Sequence, residues 1–445
     1  MKLRSLIILI MFLPLFMLGQ HNISGTFSPA ENFEWILLYK VTPEGSNYVT
    51  KATLDSLGAF SIDLDSTNTK GMYKIVYNIP QEQYNFDIIY DAKEDVAFTF
   101  NSETGIEYTA SLENKLLSSY SKSLGMISQS IGNFFQQQST DTTALETIFK
   151  TLKETQIEYE YLAKGKMVET FIKANKPYTP EQFEDAETYI GNIKKHYFDY
   201  VDFDNELLQS SSFLVERMLS YVFGMSGSEG LSDTAIYKQN FIKAAEALES
   251  VNPQTKKMIY HIIWEQLAEA NYEELANFIA DDYLIELASS LGEKLLVQEL
   301  EKFKRLSRGA TAPDFDLNIV VEGKEQTTKL SELSVATNYI LVFWSSTCSH
   351  CLEELPQLHE FMKGLNSEDF RVIAFGLEDE SYGWESTIYQ FPDFIHAIGL
   401  GKWDNQTANA YNIEATPTYF ILNSDKKILA KPTDFMELKS MFVKQ

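Results

Sequence analysis

Phe343-Trp344-Ser345-Ser346-Thr347-Cys348-Ser349-His350-Cys351 holds both cysteines of the chain. The segment closes an apolar run, Tyr339 to Trp344, which has the composition of a buried strand, and opens Leu352 to Leu365, which has helical spacing. A cysteine where a strand gives way to a helix meets unpaired backbone amides and the positive end of the helix dipole. Both stabilise an anion, so the Cys348 thiolate is favoured over an ordinary thiol. Two intervening residues set Cys351 about one turn further along, within disulfide reach. Thiolate attack on a cystine gives a mixed disulfide that a second thiol can resolve. The spacing therefore assigns attack to Cys348 and resolution to Cys351.

The sequence on either side alternates strands and helices. Arg371 to Leu377 reads as a second strand and Tyr419 to Leu422 as a third. A turn at Asp425-Lys426-Lys427 leads to Ile428-Leu429-Ala430, and Phe435 to Phe442 has helical spacing. Strand, helix, strand, then a hairpin and a last helix is the order of a thioredoxin domain.

Other uses of the cysteine pair fit less well. A structural zinc site needs four ligands. Only His350 and His359 lie nearby in sequence, and His350 sits between the cysteines. A purely structural cystine closing so short a loop removes little entropy from the unfolded chain. A peroxidase approach of the form Pro-x-x-x-Thr-x-x-Cys is not matched, because the corresponding places hold Leu341 and Ser345. No metal and no cofactor are expected, since the exchanged electrons reside in the sulfurs.

Upstream, the pattern changes twice. From about Ile23 to Phe100 it has period two: Phe60, Ile62 and Leu64, then Tyr73, Ile75, Tyr77 and Ile79, then Phe86, Ile88 and Tyr90, then Val96, Phe98 and Phe100. Short strands with one buried face and frequent turns imply an antiparallel β-sandwich. From about Leu112 to Leu306 the period is helical, with Leu284, Leu287, Leu291 and Leu295 on one stripe, Leu296, Leu300 and Phe303 continuing beside it, and Ile259, Ile263 and Leu267 on another. Thr179-Pro180-Glu181-Gln182 has the composition of a helix start. His196 and His261 read as helix-face residues. The expected organisation is multidomain: a signal peptide at 1–20, a β-sandwich at 21–110, an α-helical domain at 111–306 and an α/β thioredoxin fold at 307–445.

Composition bounds the function classes. The chain has 445 residues, 44% of them hydrophobic and 13% aromatic, enough to pack several cores. Its 37 Lys and Arg against 63 Asp and Glu give a net charge of -26, which argues against nucleic-acid binding. Lys2 and Arg4 precede the apolar run Leu6 to Leu18, about thirteen residues, the length of a signal-peptide core and short for a membrane span. Polar Gln20-His21-Asn22 follows, so cleavage is expected near Gln20, and no cysteine follows that a lipid anchor could use. Export to the periplasm or cell envelope is the expectation. An exported chain that used cystines as staples would scatter them along its length, whereas this one keeps a single close pair.

The C-terminal part resembles the thioredoxin-like domains of exported bacterial thiol-disulfide oxidoreductases of the TlpA and ResA type. The resemblance rests on Ala312-Pro313-Asp314-Phe315-Asp316-Leu317, on Leu330-Ser331-Glu332-Leu333 and on Phe343-Trp344. It continues in Cys348, Cys351, Glu354 and Pro356, which match Cys-x-x-Cys-x-x-Glu-x-Pro, and in Ala415-Thr416-Pro417-Thr418-Tyr419-Phe420. It implies a cis-proline loop in which Pro417 faces the cysteines and Thr416 offers backbone hydrogen bonds to substrate. Glu354, one turn beyond Cys351, is placed to shuttle a proton to or from the buried thiol; the alternative is a solvated residue beside Glu353. Thioredoxin's buried Asp is replaced here by Val342. The dipeptide Ser349-His350 departs from the reductase pattern, because His350 can stabilise the thiolate and make the couple more oxidising.

The resemblance favours a reductase and the dipeptide leans toward an oxidase, with reductase preferred. Potentials in this fold span about -270 to -120 mV. The expected partners are disulfide-containing envelope proteins and a membrane thiol carrier that supplies reducing equivalents. The competing class is a ligand-binding or copper-binding envelope protein in which the dithiol is accessory.

Overall fold

The computed structural model describes residues 21–443 apart from 44, 82, 227–229 and 322–323. The expected signal peptide at 1–20 lies outside the described residues. The chain divides into two compact units, with the division at Ile259/Tyr260, inside the helix Pro253–Glu269. The helical region expected at 111–306 therefore contributes to both units.

In the first unit, strands β1 (His21–Ser28), β2 (Trp35–Thr42), β3 (Gly45–Thr53), β4 (Ala59–Leu64), β5 (Gly71–Val76), β6 (Asn85–Tyr90), β7 (Val96–Asn101) and β8 (Gly105–Tyr108) form two sheets, ordered β4-β1-β7-β8 and β3-β2-β5-β6. The pairing is antiparallel except between β1 and β7, which run parallel. Ile23, Phe27, Ile36, Leu38, Ile75, Ile88 and Phe98 share one core that draws on both sheets, so this is a β-sandwich. The period-two residues face inward as expected, except Ile79, which lies beyond β5 and is exposed.

Helices α1 (Leu112–Gln136), α2 (Thr142–Ala163), α3 (Val168–Ala174), α4 (Ala186–Lys195), α5 (Glu206–Gln209), α6 (Phe213–Gly224) and α7 (Asp233–Ala247) follow, and α8 (Pro253–Glu269) begins in this unit. The helix start expected at Thr179-Pro180 lies instead at Ala186. Asp185 caps it by accepting from the Thr188 amide at 2.8 Å, whereas the Thr179 hydroxyl donates to the Pro177 carbonyl. His196 stacks on Tyr178 and bonds Asp199 at 2.7 Å.

The second unit begins with the rest of α8, then α9 (Glu273–Ile279), α10 (Ile285–Ser290) and α11 (Lys294–Arg305). The apolar stripe expected to run through Leu295 breaks at Gly292, which takes a left-handed φ of +79° between α10 and α11. Leu295 is accordingly exposed, while Leu296 and Leu300, expected beside that stripe, are buried. Glu273, itself buried, pairs with Lys431 and accepts from the Arg308 amide at 2.6 Å. The helices of this unit are thereby tied to the strands that follow.

Those strands are β9 (Asp316–Val321) and β10 (Lys324–Lys329), a hairpin, and then β11 (Asn338–Trp344), β12 (Phe370–Glu378), β13 (Ile395–Leu400), β14 (Thr418–Asn423) and β15 (Ile428–Ala430). The last five form one sheet ordered β13-β12-β11-β14-β15; β13, β12 and β11 are mutually parallel, and β14 and β15 are antiparallel. Helices α12 (Ser349–Met362), α13 (Ser381–Ile388), α14 (Gln406–Ala410) and α15 (Phe435–Val443) complete the thioredoxin fold. From Tyr339 on, strand β11 is apolar and buried, because both its faces are covered. Tyr339, Leu341 and Phe343 enter one core with Tyr411 and Phe420, while Ile340, Val342 and Trp344 enter the other with Leu355, Leu358 and Leu438. The central strand is thus clamped, and the residues that leave its C-terminal end are fixed in place.

Candidate active site

The chain leaves β11 at Trp344 and enters α12 at Ser349, and Cys348 is the residue that caps the helix. Its extended backbone (φ -91°, ψ 116°) turns the sulfur back over the first turn, where the Cys351 amide donates to Sγ at 3.4 Å. A thiol here does what Ser or Asp does at other helix starts, and it is a better partner for those amides as the anion. Both thiols are free; Cys348 is half-buried and Cys351 is fully buried.

The two sulfurs titrate in opposite directions. Partial burial alone would push Cys348 up. Hydrogen bonds from the Cys351 thiol, from the Thr416 side chain and from the Cys351 and His350 amides outweigh it, and its pKa falls below the ordinary thiol value. Cys351 packs with Trp344, Leu355 and Tyr419. Burial first, and donation to Cys348 second, push its pKa up to about 12. The pair therefore consists of one thiol ready to ionise and one held protonated.

The loop before β14 completes the front of the site. The Thr416–Pro417 bond is cis, and the Thr416 carbonyl lies 3.2 Å from Cys348 Sγ. Pro417 is half-buried on the same loop. Ser349 and His350 are exposed on the first turn of α12, and the nearest established contribution of His350 to the sulfur is its backbone amide. His359, the other histidine near the pair in sequence, bonds Asp393 at 3.3 Å.

Glu354 is not a solvated companion of Glu353. It is half-buried, and its Oε2 accepts from the Tyr419 hydroxyl at 2.9 Å and from the Phe435 amide at 3.0 Å. Tyr419 is buried, and burial followed by the neighbouring Glu354 charge holds its phenol protonated, far above the usual tyrosine range. Glu354 lies one turn beyond Cys351 on α12, with its carboxylate held in place by Tyr419 and the start of α15.

One contributor was not anticipated. Glu378, at the end of β12, is 2% exposed. Its carboxylate accepts from the Ser346 amide at 2.5 Å and from the Ser345 hydroxyl at 3.3 Å. Ser345 in turn accepts from the Thr347 amide, and its carbonyl accepts from the Cys348 amide at 3.1 Å. The carboxylate thus pins the loop that delivers Cys348. In sequence it hides in the acidic run Glu378-Asp379-Glu380, which reads as solvated. The available signal is register: Trp344 pairs in parallel with Gly376, so whatever follows Leu377 must flank Ser345 and Ser346.

Among the described residues no group of three or more His, Cys, Asp or Glu side chains is placed to hold a metal ion. What the arrangement can do is two-thiol exchange. A family model described as thioredoxin-like matches residues 337–428. The chain is 24% identical over 164 residues to the thiol-disulfide oxidoreductase ResA of Bacillus subtilis, an alignment covering 36% of this chain and 86% of that protein. It is 25% identical over 145 residues to ResA of Geobacillus thermodenitrificans, covering 33% and 80%. The crystal structure of a thioredoxin-like protein from Bacteroides caccae aligns with 18% identity and a TM-score of 0.31, over 60% of this chain and 98% of that one.

Proposed function

We propose that this chain, whose C-terminal region is a thioredoxin-like domain of the thiol-disulfide oxidoreductase type similar to TlpA and ResA, reduces disulfides in other exported polypeptides through Cys348 and Cys351. The observation that carries this reading is the split between the two sulfurs: Cys348 sits at the tip of α12 with its pKa lowered, and Cys351 lies buried behind it with its pKa raised to about 12.

The reaction proceeds in two displacements. The Cys348 thiolate attacks one sulfur of a substrate cystine; an S–S bond forms to Cys348, the substrate S–S bond breaks, and one substrate thiolate departs. Cys351 then gives its proton to Glu354 and attacks Cys348 Sγ. The second substrate thiolate leaves and takes up a proton, and the enzyme is left with a Cys348–Cys351 disulfide. Two electrons pass from the dithiol to the substrate. Return to the dithiol requires a second dithiol, for which a membrane thiol carrier is the proposed donor.

The other residues take supporting roles in this scheme. Thr416 and Pro417 form the surface against which the substrate chain docks, with the Thr416 backbone beside the attacking sulfur. Ser349 and His350 set the potential from the first turn of the helix. Export to the periplasm or cell envelope is supported by the basic and apolar pattern of Lys2, Arg4 and Leu6 to Leu18. No helix among the described residues is long and apolar enough to cross a membrane. Insulin reduction in the presence of dithiothreitol tests the activity: turnover should vanish in Cys348→Ser, and turnover unchanged by that substitution would end the proposal.

A further inference from the structure

Glu378 is a buried acid that the two displacements above do not use. Taking a carboxylate out of water is costly unless it is paired or fully hydrogen-bonded. Glu378 forms no ion pair among the described residues; Lys402, the cation nearby, bonds Asp379 at 2.9 Å instead. Both partners of its carboxylate lie on one loop, the Ser346 amide at 2.5 Å and the Ser345 hydroxyl at 3.3 Å. Ser345 is the hub of that loop. It is buried, its carbonyl accepts from the Cys348 amide at 3.1 Å, and its own amide donates toward the Cys351 sulfur. One residue thus meets both cysteines. On its other side the loop abuts α13, where a Cβ added at Gly383 would lie 2.7 Å from the Ser346 hydroxyl oxygen. The loop has little room to shift that way.

We propose that Glu378 is a positioning residue for the resolving step: acting through Ser345, it holds the two sulfurs in the register that closure of the Cys348–Cys351 disulfide requires. The inference rests on the redox reading above and deepens it by naming what controls the second displacement. In that step the Cys351 sulfur attacks Cys348 Sγ, the S–S bond from Cys348 to the substrate breaks, and the substrate thiolate leaves with the electron pair. Attack, central and leaving sulfurs must lie near one line, so a small shift of either cysteine is costly. The Ser345 amide also meets the charge that gathers on the Cys351 sulfur as its proton departs. The donors to Cys348 belong to α12 and to Thr416, outside the segment that Glu378 holds. Glu378 therefore governs resolution far more than the first attack.

The test mixes the full chain, reduced, with dithiobis(nitrobenzoate), an aromatic disulfide that releases one coloured thiolate at each displacement. The first phase reads attack by Cys348 and the second reads resolution by Cys351. Glu378→Asp keeps the charge and shortens the reach. Glu378→Gln loses the charge and can repeat both contacts, its Oε1 accepting from the Ser346 amide and its Nε2 pairing with the Ser345 hydroxyl. Glu378→Asp should slow the second phase by roughly tenfold and the first by less than about threefold. Glu378→Gln, the conservative rescue, should return the second phase to within about threefold of the parent. A parental second phase in Glu378→Asp would overturn the proposal, as would equal slowing of both phases, or a Gln variant as slow as the Asp one. Should Glu378→Asp not fold, Ser345→Ala decides: it removes only the hydroxyl anchor and should slow the second phase by about threefold, and a parental rate there would overturn the proposal. A parent chain that releases fewer than two thiolates would overturn the redox reading beneath it instead.

Discussion

The sulfur of Cys348 lies 3.2 Å from the carbonyl oxygen of Thr416, although the two residues are 68 positions apart in the chain. That contact places the thiol ready to ionise beside the cis-proline loop, and Cys351 lies buried behind it. Within the protein, a substrate captured by Cys348 is then released by the thiol behind it. Cys351→Ser should therefore accumulate a mixed disulfide between Cys348 and insulin, visible as a mass adduct that dithiothreitol removes. A variant that turns over without such an adduct would show that Cys351 does not resolve the intermediate.

Glu354 tests the proton route. Because the Cys351 pKa is raised to about 12, the thiol must lose its proton to a nearby base before it can attack at neutral pH. Glu354→Gln keeps a hydrogen-bond acceptor for Tyr419 and removes the base, so resolution of the mixed disulfide should slow by roughly a hundredfold. Its rate should then climb by roughly tenfold per pH unit through the alkaline range below the Cys351 pKa, where only free thiolate reacts, while the parent profile stays flatter. Rapid-quench measurement of the intermediate reads both effects, and a variant matching the parent at all pH values would remove Glu354 from the mechanism.

His350 contributes a backbone amide to the Cys348 sulfur. Proline fits the first turn of a helix and has no such donor. His350→Pro should therefore destabilise the thiolate and make the couple more reducing by about 20–30 mV, the equivalent of about one hydrogen bond. Equilibration with glutathione measures it. The same titration of the parent addresses direction: a potential near the oxidising limit of about -120 mV would contradict the proposed reductase role.

Stability of the second unit should hinge on its aromatic core. Phe343 is fully buried and packs against Phe375 at 5.3 Å and Tyr411 at 4.9 Å. Phe343→Ala should cost roughly 3–5 kcal/mol by chemical denaturation, and a loss below about 1 kcal/mol would mean that the site collapses to fill the cavity.

Much of the catalytic region is legible in the sequence because its signals are local. The apolar run of β11, the cysteine spacing and the cis-proline segment each carry their own pattern, and their boundaries shift by only one to three residues in the structure. The elements the sequence does not announce owe their place to pairing across the fold. Strand β13 (Ile395–Leu400) is recognisable through its parallel register with β12, and Glu378 through the pairing of Trp344 with Gly376. Leu295 misleads for the opposite reason: periodicity continues through Gly292, but the helix does not.

The most direct measurement is the pH dependence of iodoacetamide alkylation at Cys348 in the reduced protein, read residue by residue by mass spectrometry. Hydrogen bonds to the sulfur at the tip of α12 hold its pKa below the ordinary thiol value, so reactivity should persist as the pH falls well below about 8.5, with Cys351 inert throughout. A midpoint at or above that ordinary value, or equal labelling of the two cysteines, would contradict a thiolate nucleophile at Cys348.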